Sequence, residues 1–276
     1  MTAEGSPVVS VNGRLVPEGE ARISPLGEGF LYGAGVFETI RVIGGRPAFF
    51  APHMARLRRS AAELGLSPAG DDGEMRLRCA AVIGANRLGD GSLKIVVFED
   101  GGKTGEILTA RQGGYPPEMY GLGFKLRTVA DGRRMGRISG LKSLNYLKNI
   151  DAKRGAQADG FDEPLFVGDG GLVLEGATTN VFCARDGAVE TPGLHLGILP
   201  GIVRDVLLGL GGGFRIREGA VTLENLQAAD GVFVTNSLLG VMPVCQVDAR
   251  RFDICRGPVT SAIAAEFRAR ETQSLE

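Results

Sequence analysis

The sequence predicts a mixed α+β protein with a small N-terminal α/β domain over residues 1–114 and a larger C-terminal domain over residues 122–276. Three observations carry this reading. The first third alternates polar and apolar residues and then changes to apolar steps of three and four, the switch from strand to helix. Residues 112–121 place two prolines and three glycines in ten positions, which stops both helix and central strand and marks 115–121 as an interdomain linker. At 276 residues, two modest cores are favoured over one large one.

Taken in order, Val8–Val16 is two short strands around Asn12-Gly13, the strongest short hairpin signal. Phe37–Val42 alternates around Glu38 and Arg41; Gly44–Pro47 turns, and Ala48–Phe50 resumes the strand. In 53–64, Met54, Leu57, Ala61 and Leu64 recur at helical steps, and Gly65 is a suitable C′ residue. Residues 75–88 read as a second helix, then Leu93–Phe98 and Glu106–Ala110 as strands around Gly101-Gly102. Beyond the linker come a strand at 124–129, an approach and helix over 142–157, and a β-meander through 165–167, 172–174 and 180–183. Helices over 202–210 and 221–229, a strand at 232–235 and a closing helix at 259–270 complete the chain.

A formal net charge of −1 gives no basic field for nucleic acid and no polybasic tract for an anionic membrane. Residues 1–13 lack the basic-then-apolar pattern of a signal peptide, and no apolar run approaches bilayer length, so a cytoplasmic location is expected. Cys79, Cys183, Cys245 and Cys255 are widely spaced, with no Cys-x-x-Cys pair, and read as reduced core thiols rather than metal ligands.

The chemistry concentrates on a few residues. Lys142, in Ile138–Leu147, sits at the mouth of an apolar segment, where an ammonium is costly to desolvate unless its neutral amine is used. The commonest such use is a Schiff base with an aldehyde cofactor. Glu175 stands between a short apolar stretch and Thr178-Thr179-Asn180, placed to hold a pyridine nitrogen protonated. Leu199-Pro200-Gly201-Ile202-Val203 opens a helix, whose first N–H groups and dipole suit a phosphate. Taken alone, a structural salt bridge accounts equally for Glu175, an ordinary helix start for 199–203, and a solvated face for Arg56, Arg58 and Arg59.

The runs Lys142-Ser-Leu-Asn-Tyr-Leu-x-Asn-Ile-x-Ala-Lys153 and Glu175-Gly-x-x-x-Asn-Val-Phe182 resemble those of the class IV, or fold-type IV, pyridoxal-phosphate enzymes. That family includes branched-chain and D-amino-acid aminotransferases and aminodeoxychorismate lyase. The resemblance implies a site between the two domains and the cofactor pyridoxal 5′-phosphate. It assigns Lys142 the Schiff base, Glu175 the ring nitrogen, the Ile202 and Val203 amides the phosphate, and Leu199 the face of the ring. The pattern His53-x-x-Arg56-Leu57 selects Arg56 as the phosphate cation, leaving His53 structural, and Lys148 and Lys153 read as solvated. Thr235, Asn236 and Ser237 would serve the phosphate or a substrate carboxylate. Tyr146 would reach the cofactor's phenolic oxygen. Tyr32, where the family's Tyr-Gly-Asp-Gly stands as Tyr32-Gly33-Ala34-Gly35, would line the substrate pocket.

The activity implied is an amino-acid aminotransferase converting an amino acid to a 2-oxo acid, with aminodeoxychorismate lyase as the alternative. Thr235–Val244 looks like the lyase version of its segment, whereas Ala110–Tyr115 keeps Arg111 and lacks the second arginine of the lyase stretch. The small-molecule substrate is expected to be turned over by a homodimer, with the Tyr32 segment reaching the neighbouring subunit's site. A protein that binds the cofactor without turnover is a third class, against which intact Lys142 and Glu175 argue.

Overall fold

The computed structural model describes residues 6–132, 136, 138–211, 213–254 and 258–275. The chain divides into two compact units. The smaller comprises residues 1–114, Leu141–Asn145 and Glu271–Glu276; the larger comprises Tyr115–Gly140 and Tyr146–Arg270.

The smaller unit runs β1 (Val8–Val11), β2 (Arg14–Pro17), α1 (Glu28–Tyr32), β3 (Gly35–Ile43), β4 (Arg46–Pro47), α2 (Phe50–Glu63), α3 (Asp72–Ala85), β5 (Gly91–Glu99) and β6 (Thr104–Gln112). Its antiparallel sheet has the order β2-β1-β6-β5-β3-β4. The Asn12-Gly13 turn closes the first hairpin with φ of 51° and 81°, as a two-residue hairpin loop requires. Ile40, Val42, Leu93, Ile95 and Leu108 of the sheet pack against Met54, Leu57 and Ala61 of α2 and Met75, Cys79 and Val82 of α3. Alternation on the strands and helical spacing on α2 and α3 deliver these residues to one core. Residues 141–145 join this unit because Phe37 N donates to Lys142 O and Leu144 N to Gly35 O, each at 2.9 Å, around a Val36–Ser143 bridge.

The larger unit contains α4 (Pro117–Leu122), β7 (Phe124–Ala130), α5 (Leu147–Ala158), β8 (Glu163–Val167), β9 (Val173–Gly176), β10 (Asn180–Arg185) and β11 (Ala188–Pro192). It continues with α6 (Ile202–Leu208), β12 (Arg215–Gly219), α7 (Leu223–Gln227), β13 (Gly231–Asn236), β14 (Gly240–Val247), β15 (Arg250–Arg251) and α8 (Pro258–Gln273). Its mixed sheet has the order β12-β11-β10-β13-β14-β7-β8-β9, with β15 on β14. Leu126, Leu165, Val181, Val234 and Met242 join Leu226 and Phe252 in one core, while Phe166, Leu174, Ala177 and Ile198 form another. No described helix is long and apolar enough to cross a membrane.

Several local expectations are corrected. Ala48–Phe50 does not resume a strand: Phe49 takes φ 49° and Phe50 opens α2, which buries its ring in the core. α2 and α3 each begin three residues earlier than periodicity indicates, α3 because Asp71 and Glu74 form a capping box. The linker contains α4, which Pro117 initiates from a first-turn position where its missing N–H is harmless. Residues 165–183 are not a meander, because β10 takes β11 and β13 as neighbours instead of β9. Cys79 and Cys183 are buried free thiols and Cys245 is half-buried; Cys255 lies outside the described residues.

Candidate active site

In the smaller unit, β3 organises the charged groups. Glu38 shares a strand face with Ile40 and Val42, so its side chain enters the core. There it accepts from Arg56 Nε at 2.7 Å and Nη2 at 2.6 Å and meets His53 Nδ1 at 2.7 Å, with all three residues buried. Burial alone raises a carboxyl, but the Arg56 guanidinium, with help from His53, overcomes this and holds Glu38 at about 2. Burial pushes His53 below its usual value against the pull of Glu38. On the neighbouring residue, Phe37, the ring carries the Lys142 and Lys94 ammonium nitrogens, each 4.5 Å from its centre. Burial, and then repulsion from Arg111, lowers Lys94.

Lys142 and Arg56 are therefore brought to successive residues of one strand. Tyr32 lies exposed on α1, whose C-terminal Gly33 O accepts from Asn145 Nδ2 at 3.2 Å. Arg111 lies exposed at the end of β6, 3.8 Å from Glu18, beside a half-open cavity of about 370 Å³ that Asn86 and Gln112 also line.

In the larger unit, the segment before α6 is held by a carboxylate and a side-chain amide. Leu199 N donates to Glu175 Oε2 at 2.9 Å, and Leu199 O accepts from Asn180 Nδ2 at 3.0 Å. A Cβ at Gly201 would stand 2.0 Å from Asn180 Oδ1, so any larger residue there must displace the amide. Ile202 and Val203 follow in the first turn, where N–H groups have no helical acceptor. Asn180 pairs across the sheet with Thr235, whose buried Oγ1 has no hydrogen-bond partner among the described residues. Asn236 Nδ2 donates to Thr178 O at 3.2 Å, and its Oδ1 accepts from Leu238 N and Leu239 N. Tyr146 Oη donates to Ala177 O at 2.6 Å, and Ser237 is half-buried in the turn after β13.

A phosphorylated pyridine aldehyde needs an amine, a carboxylate for its ring nitrogen, and N–H and hydroxyl donors for its phosphate. Within the larger unit, a carboxylate at 175 and N–H and hydroxyl donors at 202, 203 and 235 fit the last two of these needs. Thr235 Oγ1, buried and without a hydrogen-bond partner among the described residues, is the observation that favours a ligand beside α6.

The residues that sequence reasoning missed act by holding others. Glu38 and Asn180 are examples; for Glu38, a carboxylate on the apolar face of an alternating strand was the available signal. Lys148 is exposed, as expected, although it pairs with a buried group, whereas Lys153 is half-buried and not a solvated bystander. Lys148 pairs with the buried carboxylate of Asp131, and Lys153 Nζ lies 3.0 Å from Glu163 Oε2.

Comparison with known proteins gives a concordant result. A family model described as amino-transferase class IV matches residues 35–247. The chain is 32% identical to the D-alanine aminotransferase of Bacillus licheniformis, over 92% of this chain and 94% of that one. It is 30% identical to the aminodeoxychorismate lyase of Bacillus subtilis, over 93% of this chain and 92% of that one. Among solved structures, it is similar to a branched-chain aminotransferase from Thermoproteus uzoniensis with norvaline, with a TM-score of 0.88, 30% identity and 98% coverage of both chains.

Proposed function

We propose, from the premise that this chain belongs to the class IV aminotransferases, that it transfers the amino group of an amino acid to a 2-oxo acid using pyridoxal 5′-phosphate. The family depends on that cofactor. The observation that carries the reading to this chain is the donor set of the larger unit: Glu175 tied to Leu199, the Ile202 and Val203 amides one turn further on, and the partnerless Thr235 hydroxyl.

When bound, pyridoxal phosphate supplies an aldehyde carbon for an amine and a ring that withdraws electrons from Cα. Lys142 would hold the group through its ε-amine, and the same amine is the base that would take the proton from the substrate Cα. Glu175 keeps the ring nitrogen protonated; Leu199 N–H orients its carboxylate. Leu199 and Tyr146 would flank the ring. Arg56, oriented by Glu38, offers positive charge to the phosphate, which Ile202, Val203, Thr235 and Asn236 complete. Tyr32, Arg111 and Ser237 select the substrate.

The active unit is a cytoplasmic homodimer. Supporting the dimer, Leu26, Phe30 and Tyr32 are 81%, 62% and 70% exposed around α1, apolar side chains that a partner surface would cover. Light scattering at low micromolar concentration tests the dimer, and a fully active species at the monomer mass of 29.0 kDa overturns it.

A lyase that eliminates pyruvate to leave 4-aminobenzoate is the second reading, favoured by the similarity to the Bacillus subtilis enzyme. Coupled assays with a panel of L- and D-amino acids, beside one with aminodeoxychorismate, separate them. Oxo-acid formation from one of the amino acids, dependent on an acceptor oxo acid, supports the aminotransferase, 4-aminobenzoate release replaces it with the lyase, and the absence of both defeats the proposal.

A further inference from the structure

The four-residue turn Gly176–Thr179, between Glu175 and Asn180, is a meeting point. Ala177 O accepts from Tyr146 Oη at 2.6 Å and Asn149 Nδ2 at 2.8 Å, and Thr178 O accepts from Asn236 Nδ2 at 3.2 Å. Gly176 N closes the turn on Thr179 O at 2.8 Å. Under the turn lies Glu163, fully buried at the start of β8. Its Oε1 accepts from Thr178 N at 2.5 Å, Thr178 Oγ1 at 2.9 Å and Thr179 Oγ1 at 3.3 Å, and its Oε2 faces Lys153 Nζ at 3.0 Å. The wrap is tight: a Cβ on Gly176 would stand 2.3 Å from Thr179 Oγ1 and 2.9 Å from Glu163 Oε1.

Stability alone is a poor reason for such a group, since apolar replacements of buried ion pairs are often neutral or stabilising. Geometry is a better one. A single carboxylate oxygen that gathers one N–H and two hydroxyls fixes where the turn's carbonyls point.

We infer that Glu163 is a positioning residue for the site: through Thr178 and Thr179 it sets the turn, and through the turn's carbonyls it sets Tyr146 and Asn236. The functional consequence rests on the aminotransferase reading above, whereas the positioning itself is read on the protein alone.

Amide hydrogen exchange on wild type, Glu163→Gln/Lys153→Met and Glu163→Leu/Lys153→Met tests it. Lys153 is removed in both variants so that no half-buried ammonium is left alone. Glutamine keeps an oxygen for Thr178 N–H, so exchange of the turn and of Leu238 and Leu239, whose amides report on Asn236, should stay near wild type. Leucine strands a buried donor, worth about 1–3 kcal/mol, so exchange at both places should rise about five- to a hundredfold. With pyridoxal phosphate added, the leucine variant should also change the visible circular dichroism of the bound cofactor and lower kcat more than it weakens cofactor Kd.

Equal behaviour of the glutamine and leucine variants overturns the inference. So does faster exchange confined to the turn. If the leucine variant fails to fold, Thr178→Val/Thr179→Val strips the two hydroxyl donors; it should move Leu238 and Leu239 the same way by less, and no change there overturns the inference. A wild type that neither binds pyridoxal phosphate nor turns over an amino acid defeats the function proposed above and leaves the exchange result to decide the role of Glu163.

Discussion

In the smaller unit, Arg56 and His53 are fixed by one buried carboxylate, Glu38, at 2.6–2.7 Å. In the larger unit, Glu175 and the 199–203 segment are fixed by a main-chain N–H, a side-chain amide and a glycine. The difference has a physical consequence. A charge-built scaffold fails when one partner is removed or protonated, because the others are left uncompensated in a medium that solvates them poorly. The larger unit's scaffold sets Glu175 against a main-chain N–H instead of a second charge, so it fails chiefly when the backbone path is altered.

The largest expected effect probes the smaller unit directly. Lys142→Ala should abolish the visible band formed with pyridoxal phosphate and lower kcat by at least about a thousandfold, with far-ultraviolet circular dichroism unchanged. Wild-type turnover in this variant would remove Lys142 from the mechanism.

Next, Glu38→Ala leaves Arg56 and His53 buried beside each other and should lower the unfolding free energy by about 3–5 kcal/mol in a urea titration. A loss below about 1 kcal/mol would mean that this network is dispensable.

On the larger unit, Gly201→Ala should cost about 1–3 kcal/mol through its contact with Asn180 and weaken pyridoxal phosphate binding. Its φ of −69° suits alanine, so the effect is steric. Combining it with Asn180→Gly should restore part of the loss; purely additive effects would contradict the contact. Glu175→Gln should lower kcat at least about tenfold, a loss of about 1.4 kcal/mol, and move cofactor Kd by less.

The smallest effect is the pH dependence. Both His53 and Glu38 have folded-state values below their unfolded ones, so each contributes stability that is present above the unfolded value and lost as pH falls. Thermal midpoints should begin to drop below pH 6.5 as unfolded His53 takes a proton, and drop further below 4.5 towards about 2 as Glu38 loses its advantage. His53→Gln should flatten the first limb; an unchanged limb would assign it to another group. Gly201→Ala should leave both limbs as they are.

Much of this was legible from local pattern. Met54, Leu57 and Ala61 declare one face of α2 because a helix brings residues three and four apart together without help from the rest of the chain. The Asn12-Gly13 hairpin is equally local, since its turn needs only two positive φ angles. The residues around Lys142 and Glu175 were visible as a pattern, but their supports were not. Glu38 lies 15 and 18 residues from its partners, and Glu163 lies 10 from Lys153 and 15 from Thr178. A carboxylate and a lysine at such separations carry no sign in the sequence that they will be brought together.

By itself the sequence determined the α+β class, the helical faces and the amino acids available for chemistry, because each depends on propensity, periodicity or side-chain type. Only the tertiary structure decided that β10 leaves β9 for β13, that residues 141–145 join the smaller unit's sheet, and that Lys153 is spent on Glu163. Those outcomes turn on which distant backbone and charged groups exclude water from one another, and desolvation is a property of the folded neighbourhood, not of the residue.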